Sequence, residues 1–559
     1  RVRVRGPEGA RVLVEYCELP SDRELVPDIH PSKLKIRVED PDYASFYDKS
    51  INIRQQNGYI LKGKGTETFE CRFAYMGFQF VRVTADPGVT VERVEAVPVH
   101  TDVAEAGRFV CSNDVVNRLQ DMSRASLLNN FHSIPTDCPH REKQGWTADT
   151  YMTDQAAIYN FDMAAFYAKW VEDLAGTQDS AGGLCTVAPS TGYDQSISTV
   201  WPAAIVYVPW DLLAYYGDRR VVERHYETMM RFAESGLLRQ RDGKPEIIGE
   251  VLGDWVSPHM TLSDTLMSYS MAPPEGLTLY GTASHYRVVR NLAEVARFLG
   301  KHDDAVRLDA WADRIARRFN EEFFDAASGI YHGENPTPYR QAANVVPLEY
   351  GLVPEADSAR VLGSLLRDLD GTRDRIGTGF VGTLSMMELM PRIDPERAYR
   401  LATQPDYPGW GFMALSGATT MWETWDGSAS RNHPPFCLIS AYFYKYLAGI
   451  RCDRAYPGFE RFTVDPSIVG DLTFVEAWHD SPYGRIRSEW RRDGSRLTMK
   501  VSVPVGTTAT IGVPTRDAAG VAESGRPVSG TDGVKFLRAA GGKAFYEVGS
   551  GSYVFTSRL

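Results

Sequence analysis

The spacing of apolar residues changes period twice along this chain, and that double switch limits the folds open to it. Near the start, Arg1-Val-Arg-Val-Arg5, Arg11-Val-Leu-Val-Glu-Tyr16, Phe78-Gln-Phe-Val-Arg-Val83 and Val89-Thr-Val-Glu-Arg-Val-Glu-Ala-Val97 alternate or run apolar, as half-buried strands do. From Ser112 onward apolar residues recur at helical spacing: Val115, Leu119, Met122 and later Leu127, with Ser112 or Asn113 as the N-cap. Helical segments are expected at roughly 112–131, 149–175 (broken near Asn160), 199–217, 219–238, 278–300, 303–323, 339–350, 356–369, 380–391, 395–404, 411–420 and 434–448. After Arg451 the two-residue period returns in Arg487-Ser-Glu-Trp-Arg491, Leu497-Thr-Met-Lys-Val-Ser-Val503 and Thr508-Ala-Thr-Ile-Gly-Val513.

A chain of 559 residues exceeds what one hydrophobic core usually serves. The expected organisation is therefore multidomain: an N-terminal β-sandwich over 1–105, an all-α domain over 106–450 and a C-terminal β-sandwich over 451–559. About a dozen consecutive helices, with longer loops after alternate ones, fit an (α/α)6 barrel, though periodicity alone equally allows a helical solenoid. The loops at 177–198 and 239–277 are rich in Gly, Ser, Pro and Asp, and would line a pocket at one end of the helical domain.

Between two of the helical segments lies Thr136-Asp137-Cys138-Pro139-His140-Arg141-Glu142-Lys143-Gln144-Gly145-Trp146-Thr147-Ala148-Asp149. Pro135 and Pro139 oppose helix here, so the stretch reads as a loop. A charged loop is often only surface. Trp146 is costly to leave on a loop unless it stacks on something, and Gly145 beside it suggests close backbone approach. Near the other end of the helical region stands Ser416-Gly-Ala-Thr-Thr-Met-Trp422-Glu423-Thr-Trp425-Asp-Gly427, followed by Asn432-His433-Pro-Pro-Phe436. Glu423 sits between two Trp residues, and an acid in an aromatic setting is a candidate for a perturbed pKa. The plainer reading is a Glu at a helix end flanked by core aromatics. Aromatic platforms beside paired carboxylates equip sugar-cleaving sites, where one acid protonates the leaving oxygen and another activates water or attacks.

The two motifs together, in this order and well separated, resemble the bacterial α-L-rhamnosidases of glycoside hydrolase family 78. The resemblance extends to Arg375-Ile-Gly-Thr-Gly-Phe380, Pro408-Gly-Trp-Gly411, Gly253-Asp-Trp255 and Phe73-Ala-Tyr-Met-Gly-Phe-Gln-Phe-Val-Arg-Val83, and so covers most of the chain. It implies the (α/α)6 barrel rather than the solenoid, and an N-terminal sandwich with a further part upstream. It also implies an inverting glycosidase that releases terminal α-L-rhamnose, with Glu142 as general acid and Glu423 as general base. Asp137, Arg141, Trp146 and Asp149 would hold the sugar, joined by Trp201, Trp255 and His433 from later loops, and by Asp254, Trp422 and Trp425. Rhamnose suits such a set: its vicinal hydroxyls want carboxylate and Arg partners, and its methyl group wants an apolar surface. The run from Asp137 to Glu142 is one residue shorter than in some members, so Glu142 is anchored from the downstream Gly145-Trp146. Nearby cations favour an ionised carboxyl, whereas a general acid must carry a proton. Arg141 and Lys143 are therefore expected to point away from Glu142.

Other classes find less support. A net charge of −11 offers no basic face to nucleic acid, and no apolar run approaches the ~20 residues of a membrane span. The His residues are dispersed without HExxH, and GxSxG and Walker motifs are absent, so neither a metal site nor a cofactor is expected. Gly377, Gly379 and Gly382 match GxGxxG, but the polar run Thr372-Arg373-Asp374-Arg375 replaces the strand a nucleotide site needs. Another (α/α)6 glycosidase, phosphorylase or lyase is the enzymatic alternative; a lyase would use Tyr or His as base. A non-catalytic carbohydrate-binding protein would need the aromatics but not convergent acids. Cysteines 17, 71, 111, 138, 185, 437 and 452 are scattered and form no CxxC, which favours a reducing, cytoplasmic location. The chain opens without Met, as a trimmed sequence would, so a targeting segment can have been lost. The substrate partner expected is a rhamnose-containing glycoside or oligosaccharide; a homodimer is compatible with the sequence.

Overall fold

The computed structural model describes residues 1–18, 55–192, 198–241, 243–258 and 272–559. The two long loops expected at 177–198 and 239–277 lie partly outside the described residues.

The first module is two small antiparallel sheets. Val2–Arg5 pairs with Thr66–Phe69 and Thr90–Val94, while Arg11–Cys17 pairs with Gln55–Ile60 and Phe80–Ala85. Alternation puts Val2 and Val4 of one sheet and Val12 and Val14 of the other on inward faces, where they form a small core with Leu61. The strand Thr90–Val94 departs from the half-buried expectation: it lies at a sheet edge, with Val91 and Val94 exposed.

The helices follow the periodic segments closely. They are α1 Asp114–Asn129, α2 Thr147–Asn160, α3 Ala164–Ala175, α4 Ala204–Tyr216, α5 Arg219–Ser235, α6 Thr278–Phe298 and α7 His302–Phe323. They continue with α8 Gln341–Tyr350, α9 Glu355–Gly371, α10 Phe380–Ile393, α11 Pro395–Thr403, α12 Trp410–Leu415 and α13 Leu438–Tyr442, which runs into a π-helical turn, Phe443–Leu447. Asn113 caps α1, its side chain accepting from Val115 N and Val116 N at 2.9 and 3.2 Å. Helix α4 is buried from Ala204 to Tyr215, as a helix apolar all round must be, whereas α5 buries one stripe. Helices α2, α4, α6, α8, α10 and α13 pack in succession, and α13 returns against α2; α3, α5, α7, α9 and α11 lie against members of that series. The helix expected over 411–420 stops at Leu415, because Gly417 turns the backbone to φ 90°. Among the described residues, two hairpins lie within the helical region, Gln240–Arg241 with Lys244–Ile248 and Phe324–Asp325 with Ile330–Tyr331; pairs this short carry no readable period.

The last module has a five-stranded and a seven-stranded sheet. One edge strand of the larger sheet is Gly107–Cys111, from the connection between the first module and α1, and it pairs antiparallel with Phe474–Ser481. Its Gly107 lies so close to α2 that a Cβ would stand 1.9 Å from Tyr159 O. The helical domain is thus held at its beginning and its end by the same module, Gly107–Cys111 joining its larger sheet and Ile450–Cys452 its smaller one.

Candidate active site

The loop 136–146 and the turn 421–433 meet at the N-terminal ends of α2 and α10. Asp137 Oδ1 accepts from Gln144 N at 2.9 Å and closes the first loop on itself. Gly145 lets that loop pass its neighbour: a Cβ there would stand 2.1 Å from Ala188 O. In the second turn Glu423 N donates to Ser430 O at 2.8 Å, and Ser430 N returns a 3.1 Å bond to Glu423 Oε2.

Arg141 links the two motifs. Its Nη2 lies 2.5 Å from Glu423 Oε2 and 3.4 Å from Glu142 Oε1, and its Nε donates to Ser430 Oγ at 2.9 Å. The two glutamates therefore face each other across one guanidinium, their nearest oxygens separated by no more than the sum of those two legs. Glu142 Oε2 accepts from Trp146 Nε1 at 2.8 Å, and Glu142 N lies over Cys138 Sγ. His433 completes the cluster, with Nε2 3.0 Å from Asp149 Oδ1 in the first turn of α2 and Nδ1 4.0 Å from Glu423 Oε2. Phe380, the first residue of α10, stacks on its ring at 5.8 Å.

Burial sets the charge states. It pushes Asp137 well up, with Cys138 and Glu142 adding to the effect, and it lifts Asp149 against the pull of His433. Burial would raise Glu423 too, but Arg141, His433 and Ser430 outweigh it and hold that carboxyl below its usual value. Burial would lower His433, yet Glu423, Asp149 and Asp137 lift it to about 9. The resulting cluster contains an ionised Glu423, two cations and carboxyls that resist ionisation.

Lys143 points away from the acids, as the sequence required. Its backbone takes φ 55°, and its Nζ donates to Tyr75 O at 2.6 Å and lies 4.5 Å from the Tyr75 ring centre. Tyr75 belongs to the first β-module and stacks on His132 of the helical domain at 3.6 Å. Glu18 reaches across from the same module, 3.2 Å from His140 Nδ1 and accepting from Arg431 N at 2.9 Å. It thus touches both motif loops. Arg141 does not follow the expectation: it stays at the carboxylates because Glu423 and Ser430 hold it.

Three family models match: the bacterial alpha-L-rhamnosidase six-hairpin glycosidase domain over residues 104–447, the C-terminal domain of the same group over 449–526, and its concanavalin-like domain over 1–100. The chain belongs to the bacterial α-L-rhamnosidase family. An alpha-L-rhamnosidase of Streptomyces avermitilis is 30% identical over 577 residues, covering 100% of this chain and 50% of the relative. Another, of Formosa agariphila, is 29% identical, covering 81% of this chain and 49% of its own length. The solved α-L-rhamnosidase of Dictyoglumus thermophilum superposes with a TM-score of 0.85 at 30% identity, over 99% of this chain and 60% of that one. The Streptomyces avermitilis enzyme solved with L-rhamnose gives 0.81 at 27% identity, over 99% and 50%. This rhamnosidase-family chain spans about half the length of the curated relatives it matches.

Of the residues the rhamnosidase motifs singled out, Asp137, Arg141, Glu142, Trp146, Asp149, Glu423 and His433 come together. Asp254 and Trp425 are corrected. Both Asp254 oxygens are occupied by backbone amides, Gly379 N and Gly382 N at 2.7 Å each, and its buried carboxyl caps α10 instead of facing a sugar. Those bonds also explain the GxGxxG match: its amides are already engaged, and Gly379 is required because Trp255 O would lie 2.1 Å from a Cβ. Trp425 is 1% exposed, donates to Thr378 O and stacks on Phe436 in the core. Trp201 is buried where its short 3-10 turn packs on α2, and Trp422 is covered by Arg431 at 5.1 Å. Trp255 is half-buried beside the Gly379 turn. Sequence reading missed Ser430, Tyr75 and Glu18. Ser430 lies between the two halves of the second motif, whereas Glu18 and Tyr75 carry no local sign of contact with another module.

Proposed function

We propose that this chain is an α-L-rhamnosidase that releases terminal non-reducing α-L-rhamnose from rhamnosides, with Glu142 as general acid and Glu423 as general base. The observation that carries the reading is the meeting of Glu142 and Glu423 at Arg141 Nη2, from motifs far apart in sequence. An ionised Glu423 suits a base that deprotonates water, and Lys143 turned onto Tyr75 leaves Glu142 free of one competing cation. The names of the relatives, and the L-rhamnose in one of their structures, support rhamnosides as substrates. Asp137, Asp149 and Trp146 would hold the sugar, with His433 fixing Asp149 and Glu423.

The reading extends to the fold. An (α/α)6 barrel is supported by the closed succession α2, α4, α6, α8, α10, α13, with the intervening helices outside it. Division at 1–105, 106–450 and 451–559 is our assignment, with the strand Gly107–Cys111 lent to the last module.

Stereochemistry is the sharper question. Inversion needs ~6.5–9.5 Å between the carboxyl groups, to seat a water, whereas retention uses ~5–5.5 Å. The two Arg141 contacts bound only the nearest oxygens of Glu142 and Glu423, and the carboxyl groups as wholes lie farther apart, so this geometry is compatible with the inverting span. Inversion is the stereochemistry proposed, with retention as the alternative. Early-time NMR of the released sugar decides between them, since inversion gives the β-anomer first. Leaving-group dependence tests the roles. Glu142→Gln should lose ~10²–10⁴-fold on a natural alcohol leaving group and far less on nitrophenyl rhamnoside, while Glu423→Gln is equally damaging on both. Rescue of Glu423→Gln by the activated substrate would reverse the roles, and full activity of both variants would end the reading.

A further inference from the structure

A cavity of about 660 Å³ lies inside the helical series, beyond the carboxylate cluster. Three helices carry the cluster at their N-terminal ends: Asp149 in the first turn of α2, Phe380 at the start of α10, and His433 just before α13. The cavity is walled by later turns of the same helices, where Asp154, Glu388 and Lys445 stand, and by α4, α6 and α8. Five residues separate Asp149 from Asp154, about 7.5 Å along a helix axis. At the far rim Arg290, Glu294, Gly351 and Arg392 are exposed, so this space opens at the end opposite the cluster.

Its chemistry is balanced. Arg287 faces Glu349 at 3.5 Å, Arg454 faces Asp211 at 2.5 Å, and Lys445 pairs with Glu388. Arg290 and Arg451 pair with Asp309 and Asp465 outside the lining, and Arg392 stands at the exposed rim, so the cations inside the cavity are already matched and do not select an anion. Aromatic surface is plentiful: Tyr207 and Tyr350 sandwich the Arg287 guanidinium at 5.1 and 4.6 Å, and Trp210 lies below Arg454. Among the described residues, Tyr442 OH and Trp210 Nε1 on this wall have no hydrogen-bond partner, on side chains 3% and 5% exposed, while the Asp154 carboxyl lies against that of Asp211 and Tyr207 OH against Ser284. Burying such groups without a partner is costly. A mixture of donors, acceptors and apolar rings fits a molecule with many hydroxyls and apolar C–H faces, and the volume is that of a small-molecule site.

We propose that this cavity binds a neutral monosaccharide or disaccharide, at a second site on the end of the helical domain opposite Glu142 and Glu423. Sugar hydroxyls would meet Asp154, Tyr207, Tyr442 and Trp210, and the sugar faces would rest on the Tyr rings. The site does not depend on the hydrolytic reading.

The test is calorimetric and saturation-transfer NMR titration of the whole chain with L-rhamnose, D-glucose and sucrose, in the wild type, Asn291→Trp and Tyr207→Phe. Asn291 lines the cavity on α6 and is half-buried, so an indole there would fill the space. The expected result is a binding component that Asn291→Trp removes and Tyr207→Phe weakens ~3- to 10-fold, as loss of one hydrogen bond does. Inorganic phosphate should not displace it, and turnover of an aryl rhamnoside should be unchanged in both variants. Identical binding in all three proteins, no sugar binding beyond the component that Glu423→Gln abolishes, or displacement by phosphate would overturn the proposal. Should Asn291→Trp fail to fold, Tyr207→Phe decides alone.

Discussion

Trp146 Nε1 donates to Glu142 Oε2 across 2.8 Å, so the indole fixes the direction of the carboxyl proposed as proton donor. Trp146→Phe keeps a ring and removes this donor. It should lower kcat ~10- to 100-fold, the scale of a charge-assisted hydrogen bond, with little change in Tm. Trp146→Ala should cost more in kcat/KM, again with Tm nearly held. A large fall in Tm with unaltered turnover per folded molecule would mean that the indole serves packing alone.

The His433 imidazole carries a pH signature. Its folded pKa of about 9 lies above the unfolded 6.5, so its contribution to stability is full below 6.5 and is lost as pH rises through about 9. Glu423 is shifted the other way: its contribution is present above 4.5 and fades as pH falls through its depressed value. Thermal melts from pH 6 to 10 should show a loss for the wild type that His433→Gln lacks. Parallel curves for the two proteins would contradict this assignment.

The first β-module should matter to turnover without touching substrate. A Cβ on Gly77 would lie 2.6 Å from Pro139 C and 2.8 Å from His140 N, all backbone, so Gly77→Ala must displace the loop carrying Glu142. We expect kcat/KM to fall by about tenfold, on the order of the cost of small misplacement. Gly58→Ala in the same module meets nothing within 4 Å and serves as the control. Equal activity of the two variants would show the contact to be idle.

Asp254 should behave as a structural acid. Asp254→Ala strands the Gly379 and Gly382 amides in a buried site, at ~1–3 kcal/mol each. Denaturant melts should register that loss while KM for an aryl rhamnoside stays close to wild type. A raised KM at unchanged stability would return Asp254 to the sugar.

The helix bounds could be read because a 3.6-residue period repeated over long segments leaves little ambiguity, and Asn113 and the break after Asn160 carry their own local chemistry. Glu142, Arg141 and Glu423 were legible through motif resemblance. Asp254 and Trp425 were misread because an acid or a Trp in a motif looks the same whether it faces a pocket or the core. Ser430 was visible only as a neighbour of His433. Glu18 could not be found, since its reach to His140 and Arg431 depends on how one module docks on another. The aromatic setting of Glu423 did suggest a perturbed acid, but the charges of Arg141 and His433, not the flanking rings, set the direction.

The strand Gly107–Cys111 has a consequence for biogenesis. It leaves the ribosome before any residue of α1, yet its hydrogen-bonding partner Phe474–Ser481 is made only after the last helix. Until then its edge is unpaired and Phe109 lacks the sheet it will sit in. Closing so long a loop is slow. Synthesis of the helical domain therefore ends with a waiting strand, and a chain released before the last module is complete would expose a sticky end that quality control can recognise.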